Sequence, residues 1–163
     1  MTLIVSPTAT ISPLADIEDS VRGSRIVIGD GVRIDSFVKI KPAGGSGDVV
    51  IGANSYVNSG TVIYSGNGVT IGEDVLIAAN CTFASANHAY GRRDLKIVEQ
   101  RFAPSKGGIV VGDDCWIGAN AVLVDGAILG RGCVVGACAL VRGEFPPYAV
   151  LAGVPARIVA YRE

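Results

Sequence analysis

The chain of 163 residues contains a single histidine, His88, in the stretch ASANHAYGRRD at residues 84–94. Imidazole, with an ordinary pKa near ~6.5, is the side chain best matched to taking a proton from a weak nucleophile at neutral pH. Beside it stand Asn87, Tyr90 and the cations Arg92, Arg93, Lys96 and Arg101. Taken alone, this composition is also that of a solvated surface loop carrying a chance histidine. Four cysteines are present, Cys81, Cys115, Cys133 and Cys138, with neither CxxC nor Cys/His ligand spacing. No metal site is expected on them. What the imidazole can do therefore depends on what positions it.

The positioning elements are a repeat. Aliphatic residues recur every six positions in groups of three: Val5, Ile11, Ile17; Ile28, Ile34, Ile40; Ile51, Val57, Ile63; Ile71, Ile77, Phe83; Val111, Ile117, Leu123; Leu129, Val135, Val141. The breaks fall only between groups. Relative to six, they insert 5 residues after Ile17, 5 after Ile40, 2 after Ile63 and 22 after Phe83. If three hexads make one turn of a triangular coil, every insertion leaves from the same corner. The spacing thus predicts an all-β solenoid of stacked coils, each burying its anchors against the next. An ordinary sandwich or barrel would instead show period-two alternation.

Residues two positions before an anchor should also point inward and be small, as Cys115, Ala121, Ala127, Cys133 and Ala139 are. Cys115 and Cys133, 18 positions apart, should stack one coil apart as free thiols. The abundance of glycine, 22 residues, suits tight turns. The solenoid is expected over residues 1–145, with the loop 84–108 inserted, followed by a tail at 146–163 fixed by Pro146, Pro147 and Pro155.

Charge excludes some classes. With 14 Lys+Arg against 15 Asp+Glu, nucleic acid or an anionic membrane is not expected as the main partner. No apolar run approaches the ~18 residues of a membrane span, and the start MTLIVSPTATISP lacks a basic leader, so a soluble cytoplasmic protein is expected. A zinc carbonic anhydrase prism needs three histidine ligands, which one histidine cannot supply. An ice-binding face needs a flat threonine ladder that the mixed, charged outward positions do not offer.

The hexads, the "ANH" of the loop, "CWIGANAVL" at 115–123 and the tail "PPYAVLAGVPARIV" at 146–159 resemble the left-handed β-helix acyltransferases. Within them, the chain resembles the maltose, galactoside and polysaccharide O-acetyltransferase branch. The resemblance implies left-handed coiling, acetyl-CoA as co-substrate, no metal, and a homotrimer with sites between subunits. It implies His88 as general base, with Asn87 orienting the loop, and the Ala119 N–H as donor to the oxyanion of the tetrahedral intermediate. It implies Tyr56, Asn58 and Trp116 at the acceptor. Trp116 also has a plain packing role open to it on the outer face, and Asn58 could be a stacked turn residue. Ala119 and Ala137 would line the coenzyme groove, with Arg142 and Arg157 near its phosphates.

Two departures qualify the branch. Maltose-type enzymes begin with helices, whereas this chain enters hexads almost at once, which favours sugars of bacterial surface polysaccharides over free maltose. Where the family has an acidic sugar contact, this chain has Ser65-Gly66. The alternative reading keeps fold and coenzyme but acetylates the amine of a nucleotide-linked amino sugar.

Overall fold

The structure is a computed structural model that describes residues 2–163. Among these residues the strands form three sheets, of seven, eight and six strands, which are the three faces of a left-handed parallel β-helix. Strands of one coil pair in parallel with those of the next. On the first face Val5, Ile28, Ile51, Ile71, Val111 and Leu129 share one register. Ile11, Ile34, Val57, Ile77, Ile117 and Val135 do so on the second. Ile17, Ile40, Ile63, Phe83, Leu123 and Val141 do so on the third.

The six-residue period works because a two- or three-residue strand sends one branched side chain inward and a turn then rotates the chain to the next face. Those turns need a left-handed residue, which Asn and Asp tolerate better than bulkier side chains. Asn54, Asp74 and Asp114 occupy the corner between first and second faces, and Asn80 and Asn120 the next corner, all at φ between 56° and 59°. Burial follows the period. Every anchor from Ile28 onward is buried, while Val5 is 39% exposed and Ile11 and Ile17 are half-buried, because no coil covers the first one from below. The small inward residues Cys115, Ala121, Ala127, Cys133 and Ala139 are all buried as well.

All the insertions leave from the corner between the third and first faces. The largest runs from the strand Thr82–Ala84 to the strand Ile109–Val111 and contains a short helix, Ile97–Gln100. At the other end the coil continues past residue 145. Val134 pairs with Val150 and Val135 with Leu151, so the strand Ala149–Ala152 adds a rung to the second face. Ala149 and Leu151 supply the apolar side chains that this rung requires, and both are fully buried. The tail proper is the turn after Ala152 and the strand Arg157–Tyr161, which returns antiparallel along that rung.

The cysteines are free, and three of them are interior. Burial pushes the Cys115 thiol up to about 12 and raises those of Cys81 and Cys133. A raised thiol pKa leaves the unreactive protonated form at working pH. Ellman titration of the native protein at about pH 8 should therefore find one reactive thiol, the exposed Cys138, and four after unfolding in guanidinium. Two or more native thiols reacting at the same rate would show that the core opens.

Candidate active site

The long loop is a structured element. Its two limbs run antiparallel around His88: Ala89 N–H donates to Arg101 O at 3.0 Å and Ala103 N–H to Asn87 O at 2.8 Å, with His88 opposite Phe102. Gln100 ties the loop's tip together, donating to the carbonyls of Arg92 and Leu95 and accepting from Arg92 N–H. The His88 ring stacks on Phe102, with centroids 4.8 Å apart. Its Nδ1 lies 3.2 Å from Arg101 O. A carbonyl oxygen only accepts, so in the neutral ring Nδ1 carries the hydrogen and Nε2 is the acceptor. The exposed imidazole is thus held by a ring on one side and a carbonyl at one nitrogen, with the basic nitrogen free.

Asp125, which sequence reasoning did not single out, secures the base of this loop. It is 3% exposed, and its carboxyl oxygens accept from Lys106 N–H at 2.8 Å, Gly108 N–H at 2.8 Å and the Asn67 side-chain amide at 3.0 Å. The loop's returning limb is therefore fastened to the coil above and to the turn below. Asp125-Gly126 reads as a turn, and the partners that give it this role are distant in sequence. In Asp125→Asn one accepting oxygen becomes a donor facing a backbone N–H, a mismatch costing about 1–3 kcal/mol. We expect faster amide exchange at residues 104–108 and a kcat lower by about tenfold, since misplacing a catalytic group by ~1 Å can cost up to ~10². Wild-type exchange in that segment would contradict the assignment.

His88 and Asn87 line a cleft of about 1060 Å³ that also touches Tyr90, Val124, Leu140 and Arg142. The structure thus brings the candidate base and one candidate phosphate ligand to the same side of one chain. The other candidates lie elsewhere on the coil. Ala119 and Ala137 stack one coil apart at the corner between the second and third faces, joined by the hydrogen bond from Cys138 N–H to Ala119 O at 2.9 Å. The neighbouring backbone is close. A Cβ on Gly118 would meet Ala137 N at 2.6 Å, so only glycine fits there. The N–H groups of Ala119 and Ala137 have no hydrogen-bond partner among the described residues.

Tyr56 and Trp116 share a register on the outside of the second face, separated by Leu76, and Trp116 is 54% exposed. Asn58 sits at the same corner as Ala119 but one of its groups is engaged: its amide donates to Ile77 O at 2.7 Å. Arg157 opens the tail strand opposite Ala152, its guanidinium bonded, among the described residues, to the carbonyl of Ala156 alone. Neither Arg142 nor Arg157 is in an ion pair with a described residue. Within one chain, then, His88, Asn87 and Arg142 meet at one corner, and Ala119, Ala137 and Asn58 at another. The third face lies between them.

The repeat and the prism are shared with known proteins. The family description "Bacterial transferase hexapeptide (six repeats)" matches residues 108–143, and "Hexapeptide repeat of succinyl-transferase" matches residues 47–83. The Escherichia coli K12 protein WbbJ, named as a lipopolysaccharide biosynthesis O-acetyl transferase, is 34% identical over 142 residues, covering 84% of this chain and 69% of its own. Among solved structures, the hexapeptide-repeat acetyltransferase VCA0836 of Vibrio cholerae, complexed with acetyl-CoA, matches with a TM-score of 0.70 at 29% identity, over 83% of this chain and 70% of that one. A mutant of AntD, an N-acyltransferase from Bacillus cereus in complex with dTDP-4-amino-4,6-dideoxyglucose and coenzyme A, matches with a TM-score of 0.81 at 25% identity, over 98% and 83%. The chain belongs to the bacterial hexapeptide-repeat transferase family, and it is an acyltransferase.

Proposed function

We propose that the protein is an acetyl-CoA-dependent O-acetyltransferase that modifies a sugar hydroxyl in the synthesis of a bacterial surface polysaccharide, working in the cytoplasm as a homotrimer. The observation that carries this reading is the single imidazole, its Nδ1 held by the Arg101 carbonyl, lining a cleft of about 1060 Å³ that is also lined by Arg142, which is in no ion pair among the described residues. That volume suits a ligand of coenzyme size, at the upper end of the roughly 300–1,000 Å³ usual for small-molecule sites. The similarity to WbbJ supports transfer to oxygen.

The groove suits the coenzyme chemically. Ala119 and Ala137 present small side chains and unpartnered N–H groups, and Arg142 and Arg157 offer cations to phosphates. What acetyl-CoA supplies is an activated thioester carbonyl. His88 Nε2 takes the proton from the sugar hydroxyl as its oxygen bonds to that carbonyl carbon. The Ala119 N–H hydrogen-bonds the carbonyl oxygen as it gains negative charge. His88 then returns the proton to the departing coenzyme thiolate as the carbon–sulfur bond breaks, so the base is regenerated. Because the His88 corner and the Ala119 corner are separate in one chain, each site joins the corners of two subunits. Cyclic symmetry closes three such contacts.

Tyr56, whose hydroxyl has no partner among the described residues, then faces the acceptor from the neighbouring subunit. Tyr56→Phe should raise the acceptor KM about three- to tenfold, the worth of a hydrogen bond of ~0.5–1.5 kcal/mol, and leave the acetyl-CoA KM unchanged. Asn58→Ala should weaken acceptor use and cost the coil little, because the Ile77 carbonyl loses the side-chain amide but keeps its hydrogen bond from the Asn58 backbone N–H. Equal acceptor kinetics in both variants would return these residues to packing.

The similarity to AntD favours a second reading, N-acylation of a nucleotide-linked amino sugar. A screen of free, nucleotide-linked and polymeric sugars with acetyl-CoA, read by thiol release and product mass, decides between them. Acetylation of hydroxyl acceptors is expected. Preference for an amino sugar over its hydroxyl analogue would replace the proposal with the N-acyl reading.

A further inference from the structure

The corner that carries Ala119 and Ala137 runs the length of the prism. Its turn positions stack as Leu14, Phe37, Gly60, Asn80, Asn120 and Cys138. From Phe37 onward all of them are in the left-handed region, Phe37 at φ 62°. Asparagine and glycine suit that conformation, whereas a bulky residue there is an outlier that costs stability. The other aromatic residue at positive φ, Tyr148, puts its ring to use against Gly132 and the Arg162 guanidinium. The Phe37 ring is 68% exposed and stacks on no other ring among the described residues. Packing within the chain does not offset its strain.

Polar groups stand beside this ring. The Asp35 carboxylate accepts from the Ser36 N–H at 2.7 Å and from the Ser59 hydroxyl at 2.8 Å, and the Ser36 and Ser12 hydroxyls lie 3.0 Å apart. The Ser36 N–H first, and then the Ser59 hydroxyl, hold the Asp35 carboxyl below the usual carboxylate range. An ionised carboxylate has about four acceptor sites, and these bonds use two. Gly60, stacked on Phe37, adds no side chain over the ring. A flat apolar ring next to spare carboxylate acceptors is what a sugar residue needs. Its C–H face is buried on the ring, and its hydroxyls donate to the charged oxygens.

We propose that Phe37, Asp35 and Ser36 form a distal acceptor subsite, which binds a further residue of an oligosaccharide whose reacting sugar lies beside Asn58. The inference rests on the transferase reading above and narrows its acceptor from a single sugar to a chain. Coils stack ~4.8 Å apart, so Phe37, three coils before Ala119, is ~14 Å from the oxyanion donor along the axis. That span is longer than one sugar ring. The coenzyme candidates Ala137 and Arg157 lie on the other side of Ala119, so the groove toward Phe37 is left to the acceptor. The diphosphate of a nucleotide-linked sugar would meet the like charge of Asp35 there.

The test takes the sugar turned over best in the screen above and supplies it as a methyl glycoside and as a linear trisaccharide, with acetyl-CoA as donor. Wild-type kcat/KM should be at least about tenfold higher for the trisaccharide. Asp35→Asn, which removes the charge and keeps the shape, should raise the trisaccharide KM about tenfold. Phe37→Asn should raise it about three- to tenfold and also raise the thermal midpoint, because asparagine accepts the left-handed turn. Weaker acceptor use by a more stable protein separates a ligand role from a packing role. Equal use of the two acceptors, or a wild-type trisaccharide KM in Phe37→Asn, would overturn the subsite alone. So would preference for a nucleotide-linked monosaccharide over the trisaccharide, which would assign the ring to a base. A Phe37→Asn protein that sediments as a monomer would assign the ring to a subunit contact and overturn the subsite too. Failure to acetylate any sugar in the screen would overturn the transferase reading and the subsite with it.

Discussion

His88→Ala should lower kcat by ~10²–10⁴, the usual share of general-base catalysis, while acetyl-CoA affinity and thermal stability stay close to wild type. The imidazole lies on an exposed loop outside the solenoid interior, so its removal exposes one face of Phe102 and leaves the Arg101 carbonyl with the Ala89 N–H as its donor. Neither change reaches the core. The limb of the pH–rate profile that reports the base should vanish in the variant. Because Nδ1 is committed to the Arg101 carbonyl, replacing His88 with glutamine should not rescue the rate: the amide can imitate a hydrogen bond but cannot take a proton. A His88→Ala enzyme that keeps more than about a tenth of kcat with acceptor saturating would mean that another group takes the proton.

Phe83→Ala should destabilise the protein by about 3–5 kcal/mol in urea unfolding, the range for a large aromatic removed from a packed interior. Phe83 heads the fully buried side chains in size and fills the prism between the Ile63 and Leu123 rungs. A solenoid has no other layer that can collapse into the gap, since each coil contacts only its neighbours. The damage should also reach the site. Phe83 lies in the strand that launches the loop, and the next residue, Ala84, accepts the Asp125 N–H at 3.1 Å. Phe83→Ala should thus lower both stability and kcat, whereas His88→Ala lowers kcat alone. Phe83→Leu, which keeps most of the volume, should cost less than about half as much. A loss below ~1 kcal/mol for the alanine variant would show a looser interior than the rungs imply.

The contrast between these residues marks what could be read in advance. A prism of hexads repeats one local decision, an inward branched residue and then a turn, so the anchors and their register are legible from Val5 to Val141. The shared corner of the insertions is legible for the same reason. The period fails at the last rung, where Phe145 pairs with Leu129 and Leu151 with Val135 across the prolines at 146 and 147. The expected boundary at 145 therefore fell inside the solenoid. At the site, residue type pointed to His88 and to the break that carries it. The Arg101 carbonyl that sets its tautomer and the ring of Phe102 beneath it could not be read, because loop limbs follow no period. Asp125 escaped notice on the same grounds. Its partners at Lys106, Gly108 and Asn67 are brought to it by stacking, not by neighbouring sequence.

Subunit complementation tests most directly the central claim, that the His88 corner of one chain acts on a coenzyme bound at the Ala119–Ala137 corner of another. Two inactive variants are required: His88→Ala, which lacks the base, and Ala137→Trp, which fills the groove. Unfolded together and refolded as a mixture, they should form, in the proposed trimer, some sites that combine an intact base from one chain with an intact groove from its neighbour. Random assembly of equal amounts makes about a quarter of such intersubunit sites intact. The account predicts recovery of about that share of wild-type activity, with none in either variant refolded alone. If base and groove belonged to the same chain, every site would carry one defect, and the mixture would stay as inactive as its parents.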